Sequence, residues 1–291
     1  MNLNIGTSGY AYKFWGPSAL DKSLKTDSYY PNSNTKSWLK KYSTDLKSVE
    51  INCTRYAKLK PESCKKWKEL TPDDFTFTIK APTYITHSKK LQNFQKWWNE
   101  FKYCIDALGE KFKCILFQFP PTFHCNEKNI SKIQNVKKII PKHIKCAFEF
   151  RDMEWFSTSL TEGIFQNNFT QTIVVVPEVR HLDVNFGNLS GGIHVGEINF
   201  DFIYIRFHGT YNYSCGTYDK LLNNYFEIIR ELIDKKKTTV CVYFNNTDTW
   251  TTMPFDLFEG EFSNGIPYER AYLPSAIYDS MLMQNLMSAL K

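Results

Sequence analysis

An α/β fold built on a closed parallel barrel is the architecture the sequence predicts, on three observations. Short β-branched and aromatic runs alternate with amphipathic stretches of helical period along the whole chain, the pattern of repeated βα units. Within each run, residues two apart share a character: one set is large and apolar, as a strand covered by helices requires, and the other becomes polar only at the C-terminal end. Counted through, the pattern contains eight strands, the number of a TIM-like (β/α)8 barrel.

Leu3 to Thr7 reads as the first strand and runs into GTSGYAY, where Gly6 and Gly9 permit a tight turn and Tyr10, Tyr12 and Trp15 crowd aromatic surface beyond it. Thr35 to Asp45 is helical with Asn34 as its N-cap, and leads into SVEIN, whose Glu50 and Asn52 share a face against Val49 and Ile51. A proline at a favoured helix start opens Pro61 to Leu70. The third strand, FTFTIK, sets Thr76, Thr78 and Lys80 against Phe75, Phe77 and Ile79. Leu91, Phe94, Trp98, Phe101, Ile105 and Leu108 then recur at spacings of three and four, a helix with an apolar stripe in which Trp98 is core.

CILFQF aligns Cys114, Leu116 and Gln118 as the fourth strand, and a helix over Asn129 to Ile140 ends at Pro141. CAFEFR aligns Ala147, Glu149 and Arg151 as the fifth, and Ile173 to Val176 is an apolar sixth. Glu178 to Asp201 shows no helical period and reads as irregular cover where a helix is expected. YIRFHG supplies the seventh strand with Tyr204, Arg206 and His208 on one face, followed by GTYNYSCGTY and a helix carrying Leu222, Tyr225, Ile229 and Leu232. TVCVYFNN, from Thr239 to Asn246, is the eighth, with Cys241, Tyr243 and Asn245 together; an irregular stretch, Thr247 to Leu273, precedes a final helix from Pro274 to Leu290.

No linker divides the 291 residues, so residues 1–291 are expected to form one domain. Aromatic residues make up 16% of the chain, about double the usual share and ample for a large core. The net charge of +6 favours anionic partners mildly, without the clustered basic footprint of a dedicated nucleic-acid binder. The 8 cysteines form no CxxC pair, which fits a reducing cytoplasm, and no run approaches the ~20 apolar residues of a membrane span.

Seven blocks, IGTSGYAYKFW, VEINCTRYAKLKP, FTIKAPTYITH, LFQFPPTF, FEFRDMEWF, YIRFHGT and VYFNN, occur in order along most of the chain. Together they resemble the domain of unknown function 72 family, also called YecE-like proteins. That resemblance implies a TIM-like barrel and brings no settled activity with it. The chain departs from the family pattern at Tyr10, where tryptophan is usual, at Arg55, where phenylalanine is usual, and in the longer segment 247–273.

The chemistry is therefore read from the polar strand ends, which gather at the C-terminal mouth: Glu50, Asn52, Lys80, Gln118, Glu149, Arg151, Tyr204, Arg206, His208, Tyr243 and Asn245. Three fixed cations facing two carboxylates suit a small phosphate- or carboxylate-bearing ligand. The expectation is a metal-independent acid–base enzyme without a cofactor. In it Glu149 transfers protons, with Glu50 as a second carboxylate, Arg151 and Arg206 clamp the anion, and His208 shuttles a proton. Lys80 is a second proton-transfer group or a Schiff-base nucleophile. Tyr10, Tyr12, Trp15 and His87 line the mouth from the loops; His87 is equally a loop cap. Against this stands a scaffold reading, in which Glu149 pairs with Arg206 and Glu50 with Lys80, leaving at most a non-catalytic anion-binding protein.

A glycosidase would need the separation of the two carboxylates to decide it. A nucleic-acid-binding barrel with nuclease-like ancestry is a further alternative, with Tyr10, Tyr12, Trp15, Tyr84, Tyr211 and Tyr213 as stacking platforms beside Arg55 and Lys89. A metal site is not expected, because His208, Glu50 and Glu149 are interleaved with arginines that repel a cation. The phosphate-loop spacings GxGxxG and Walker A are absent.

Overall fold

A computed structural model describes residues 2–17, 29–30, 33–52, 58–156, 161–176, 192–194, 201–208, 226–227, 230, 239–245 and 275–288. Nine strands occur among them: β1 (Asn2–Ser8), β2 (Ser48–Ile51), β3 (Thr76–Lys80), β4 (Phe112–Gln118), β5 (Lys145–Glu149), β6 (Phe169–Val176), β7 (Gly192–His194), β8 (Phe202–Phe207) and β9 (Thr239–Phe244). Eight of them pair in parallel, β1 to β6 in sequence, then β6 with β8, β8 with β9, and β9 back onto β1. The sheet is thus a closed barrel, and the seventh and eighth barrel strands are β8 and β9.

Closure enforces the alternation read from the sequence. Cys114, Leu116, Ala147, Phe202, Tyr204, Cys241 and Tyr243 form a buried cluster of their own, inside the barrel. The opposite parity, including Val49, Ile51, Phe77, Ile79, Phe117, Phe148, Ile205 and Val242, joins the larger core beneath the helices. Five α-helices are described: α1 (Thr35–Asp45), α2 (Pro61–Leu70), α3 (Phe94–Leu108), α4 (Glu127–Ile139) and α5 (Ser275–Ser288). In α1 the Asn34 side chain accepts from the Lys36 amide at 3.2 Å, the cap its sequence predicts. α4 begins two residues ahead of expectation, because Asn126 caps it by accepting from the Asn129 amide at 3.0 Å. The final helix returns to the first strand, where Ser280 Oγ donates to the Gly6 carbonyl at 3.1 Å.

Two differences from the sequence reading have local causes. Gly192–His194 inside the irregular stretch is a strand, antiparallel to the C-terminal end of β6, with Val176 opposite Gly192. Three residues, Gly192, Ile193 and His194, carry too little periodicity to reveal it. Leu91, read as the first residue of the α3 stripe, instead sits at φ 65 in a turn with Lys90 and Asn93, also at positive φ. A single π-turn, Tyr84–Ser88, precedes that turn, and α3 starts only at Phe94. The expectations for 209–218 and 247–273 lie outside the described residues, as does most of the helix expected around 222–232.

Inside the barrel, below the mouth, a polar chain crosses from strand to strand. Thr76 Oγ1 donates to Asn4 Oδ1 at 3.0 Å and lies 2.8 Å from Ser48 Oγ, and the Tyr243 hydroxyl bonds Ser48 Oγ at 2.7 Å and Thr78 Oγ1 at 2.9 Å. Tyr243 was expected at the rim; its ring is fully buried in this deeper layer and its hydroxyl is spent on Ser48 and Thr78.

Candidate active site at the barrel mouth

At the C-terminal ends of the strands the inward positions turn ionic, and Arg206 of β8 is their centre. Its Nε donates to Glu50 Oε2 at 3.0 Å, and its Nη2 meets Glu50 Oε1 at 3.0 Å, Ser8 Oγ at 2.9 Å and Asn245 Oδ1 at 2.9 Å. Its Nη1 donates to Glu149 Oε2 at 2.6 Å. Every nitrogen of the guanidinium is engaged, so Arg206 is a buried bridge between two carboxylates and not the anion clamp expected of it. Burial works against its charge, but Glu149 and Glu50 outweigh burial and raise its pKa, leaving a permanent cation.

Glu50 is completed by Ser8 Oγ, which donates to Oε1 at 2.6 Å, and by the Tyr204 hydroxyl, which donates to Oε2 at 2.6 Å. Glu149 accepts at Oε1 from Gln118 Nε2 at 2.7 Å and from Arg151 Nη2 at 2.7 Å. Burial pushes the Glu149 carboxyl up, yet Arg206, Arg151 and His208 together hold it well below the usual carboxylate range. A carboxylate so held stays ionised near neutral pH, where the sequence reading has it transferring protons.

The tautomer of His208 follows from its neighbours. Because Asn245 Oδ1 accepts from Arg206, its Nδ2 faces His208 Nδ1 at 2.8 Å, and an amide nitrogen can only donate. Nδ1 is therefore the acceptor and Nε2 carries the proton, 3.4 Å from Glu149 Oε1. A second proton would have to enter at Nδ1, against that amide. Burial, opposed by Glu149 and abetted by Arg151 and Arg206, lowers the His208 pKa to about 4. His208 is thus a neutral, oriented imidazole near pH 7 and not the shuttle expected from sequence.

Lys80 differs from the rest. It ends β3 on the inward face and is only partly buried. Burial first, then the charges of Arg206 and Arg151, lower its pKa to about 8 against the opposing pull of Glu50 and Glu149. Asn52 donates from Nδ2 to Ser8 Oγ at 2.6 Å, adding the ladder's next polar position to the network.

The loop residues divide. Tyr12 donates its hydroxyl to the Ser8 carbonyl, and Tyr10 lends its own carbonyl to Tyr30. Trp15 is fully buried among Tyr12, Phe14, Tyr29 and Tyr30, so its ring is unavailable to stack on a ligand or a base. His87 bonds the neighbouring Thr86 hydroxyl at 2.9 Å, the loop-cap arrangement. Arg55, Tyr211 and Tyr213 lie outside the described residues.

Ser8 was not among the expected residues, although it touches Glu50, Arg206 and Asn52. Period two from Asn4 through Gly6 reaches it, but its place in a glycine turn hides the strand. Among the described residues no group of three or more His, Cys, Asp or Glu could hold a metal ion, and no helix is long and apolar enough to cross a membrane.

Comparison with known proteins agrees with this architecture. Residues 4–254 match the family model described as "Protein of unknown function DUF72". The UPF0759 protein YunF of Bacillus subtilis is 30% identical over 140 residues, 46% of this chain and 49% of that protein. The UPF0759 protein YecE of Escherichia coli K12 is 27% identical over 141 residues, 47% of this chain and 51% of that protein. The aligned stretch thus spans about half the length of these relatives. The crystal structure of a DUF72 family protein from Thermotoga maritima superposes with a TM-score of 0.69 at 21% identity, covering 99% of this chain and 100% of that one. One from Enterococcus faecalis gives 0.66 at 18% identity, covering 99% and 98%. At such identities the likeness is one of fold. With the family model matched over most of its length and the same barrel in both solved relatives, this chain belongs to the DUF72 family.

Proposed function

We propose that the barrel mouth binds a small phosphate- or carboxylate-bearing molecule and acts on it by metal-independent acid–base chemistry, with Lys80 as the proton-transfer group. The carrying observation is the Lys80 ammonium, partly open to solvent with its pKa brought down to about 8, beside the buried ionic cluster of Arg206, Glu50 and Glu149. An amine titrating there exchanges protons readily near neutral pH, which a carboxylate held as low as Glu149 does not. Charge supports the choice of ligand. Glu50 and Glu149 face Arg206, Arg151 and Lys80, so the mouth carries one positive charge more than it neutralises. Arg206 is wholly enclosed, which leaves Lys80 and Arg151, whose side chain is 11% exposed, to meet the anion. Glu149 then holds Arg151 in place, and Glu50, Glu149 and Arg206 act on the basicity of Lys80.

The test is a thermal-shift titration with inorganic phosphate and with pyruvate, at pH 7 and pH 9, on the native chain and on Lys80→Met and Arg151→Met. Stabilisation at pH 7 that fades at pH 9, as Lys80 loses its proton, and that is lost in both variants is the expected result. Equal stabilisation of all three proteins at both pH values sinks the proposal.

A further inference from the structure

We infer that Lys80 forms a covalent imine with a short oxo compound bearing a carboxylate or phosphate, and that Asn52 receives the hydroxyl of the intermediate. This rests on reading the mouth as an anion site and adds to it a substrate class and a bond. Strands β2 and β3 pair with Glu50 opposite Thr78 and Ile51 opposite Ile79. One step further along that ladder Asn52 and Lys80 are neighbours on the inward face, on strands about 4.8 Å apart.

The Asn52 amide is oriented by its own hydrogen bond. Nδ2 donates to Ser8 Oγ at 2.6 Å, so Oδ1 is the free end, and it is buried with no donor to satisfy it. Buried acceptors are ordinarily paired, and one left open beside a reactive amine is a place for a donor that arrives with the reaction. Carbonyl addition supplies that donor. The Lys80 Nζ lone pair attacks the carbonyl carbon and an Nζ proton passes to the carbonyl oxygen. The product is a carbinolamine whose new hydroxyl faces an acceptor. Expulsion of that hydroxyl as water, with loss of the remaining Nζ proton, leaves the C=N bond. The sum is amine plus carbonyl to imine plus water, with no oxidant or reductant. The amine must be unprotonated to attack, and burial among cations keeps a usable fraction so near neutrality. The substrate's anionic group meets Arg151, which lies across Glu149 from the buried arginine.

Reductive trapping tests it. The native chain is incubated with pyruvate, with glycolaldehyde phosphate, or with neutral glycolaldehyde, each with borohydride, and the adduct is located by peptide mass. A single adduct on the Lys80 peptide is expected with either anionic probe, and not with the neutral one. The two anionic arms report whether carboxylate or phosphate is preferred. Lys80→Arg, which keeps the charge and therefore the fold, loses the adduct. Asn52→Ala forms it about tenfold more slowly, the effect of one hydrogen bond. Adducts scattered over surface lysines with none favoured at Lys80, or equal labelling of Lys80→Arg, overturns the imine. If pyruvate still stabilises the native chain and not Lys80→Met, the anion site survives that failure; if it stabilises neither, both readings fall.

Discussion

Removing the titration of His208 should flatten the acid side of the stability profile. The ordinary histidine pKa is 6.5, and in the folded chain that of His208 lies at about 4, because burial and the blocked Nδ1 disfavour the imidazolium. Between these values the unfolded chain binds a proton that the native chain refuses, so stability rises with pH across the window. The full contribution is present above pH 6.5 and erodes as pH falls toward 4, at about 1.4 kcal/mol per pH unit. Over the whole window that is about 3 kcal/mol, a large share of the 5–15 kcal/mol typical of a folded domain. Glu149, whose pKa is held low, adds its own loss only below the ordinary carboxylate range, so the upper part of the window belongs to the imidazole. Urea denaturation of the native chain and of His208→Gln at half-unit steps from pH 7.5 to 4.5 reads the difference. Parallel profiles for the two proteins would refute the reasoning, since they would mean that His208 takes its second proton in the native state as readily as when unfolded.

Two further perturbations probe the same architecture. Lys80→Met should raise stability at pH 7 by about 1–2 kcal/mol in urea denaturation, because it removes a desolvated cation whose loss leaves two arginines facing two carboxylates; a lower midpoint contradicts that charge balance. Gly6→Ala should cost more than roughly 3 kcal/mol, since a Cβ there would lie 1.8 Å from the Ser48 carbonyl oxygen, a backbone atom that moves only with its strand. A melting temperature unchanged from the native chain excludes so close an approach of β1 to β2.

Much of the mouth was legible in the sequence because barrel closure leaves each strand one inward face. Period two alone brought Glu50, Lys80, Gln118, Glu149, Arg206 and Asn245 together, and the large apolar residues alternating with them marked the outward face by contrast. Depth was not legible. Tyr243 and Arg206 both sit inward near the ends of β9 and β8, yet one binds Ser48 in a lower layer and the other organises the rim. Cross-barrel stagger decides this, and no single strand encodes it. Partner choice was hidden for the same reason: whether Arg206 is free or committed depends on Ser8, Glu50, Glu149 and Asn245 arriving from four other segments. Trp15 looked like mouth lining because loop aromatics are ambiguous until their neighbours are known, and here Tyr29 and Tyr30 enclose it.

The Arg206 bridge also bears on how the chain reaches its final state. It joins Arg206 to Ser8, 198 positions earlier, and to Asn245, 39 positions later and just beyond β9. An arc of strands lacking β8 would hold two carboxylates facing inward with no guanidinium between them, and such an arc has no reason to dry out. Desolvation of the mouth therefore waits on β8, the seventh barrel strand, so that a nascent chain released before that strand emerges keeps a wet, unlatched rim.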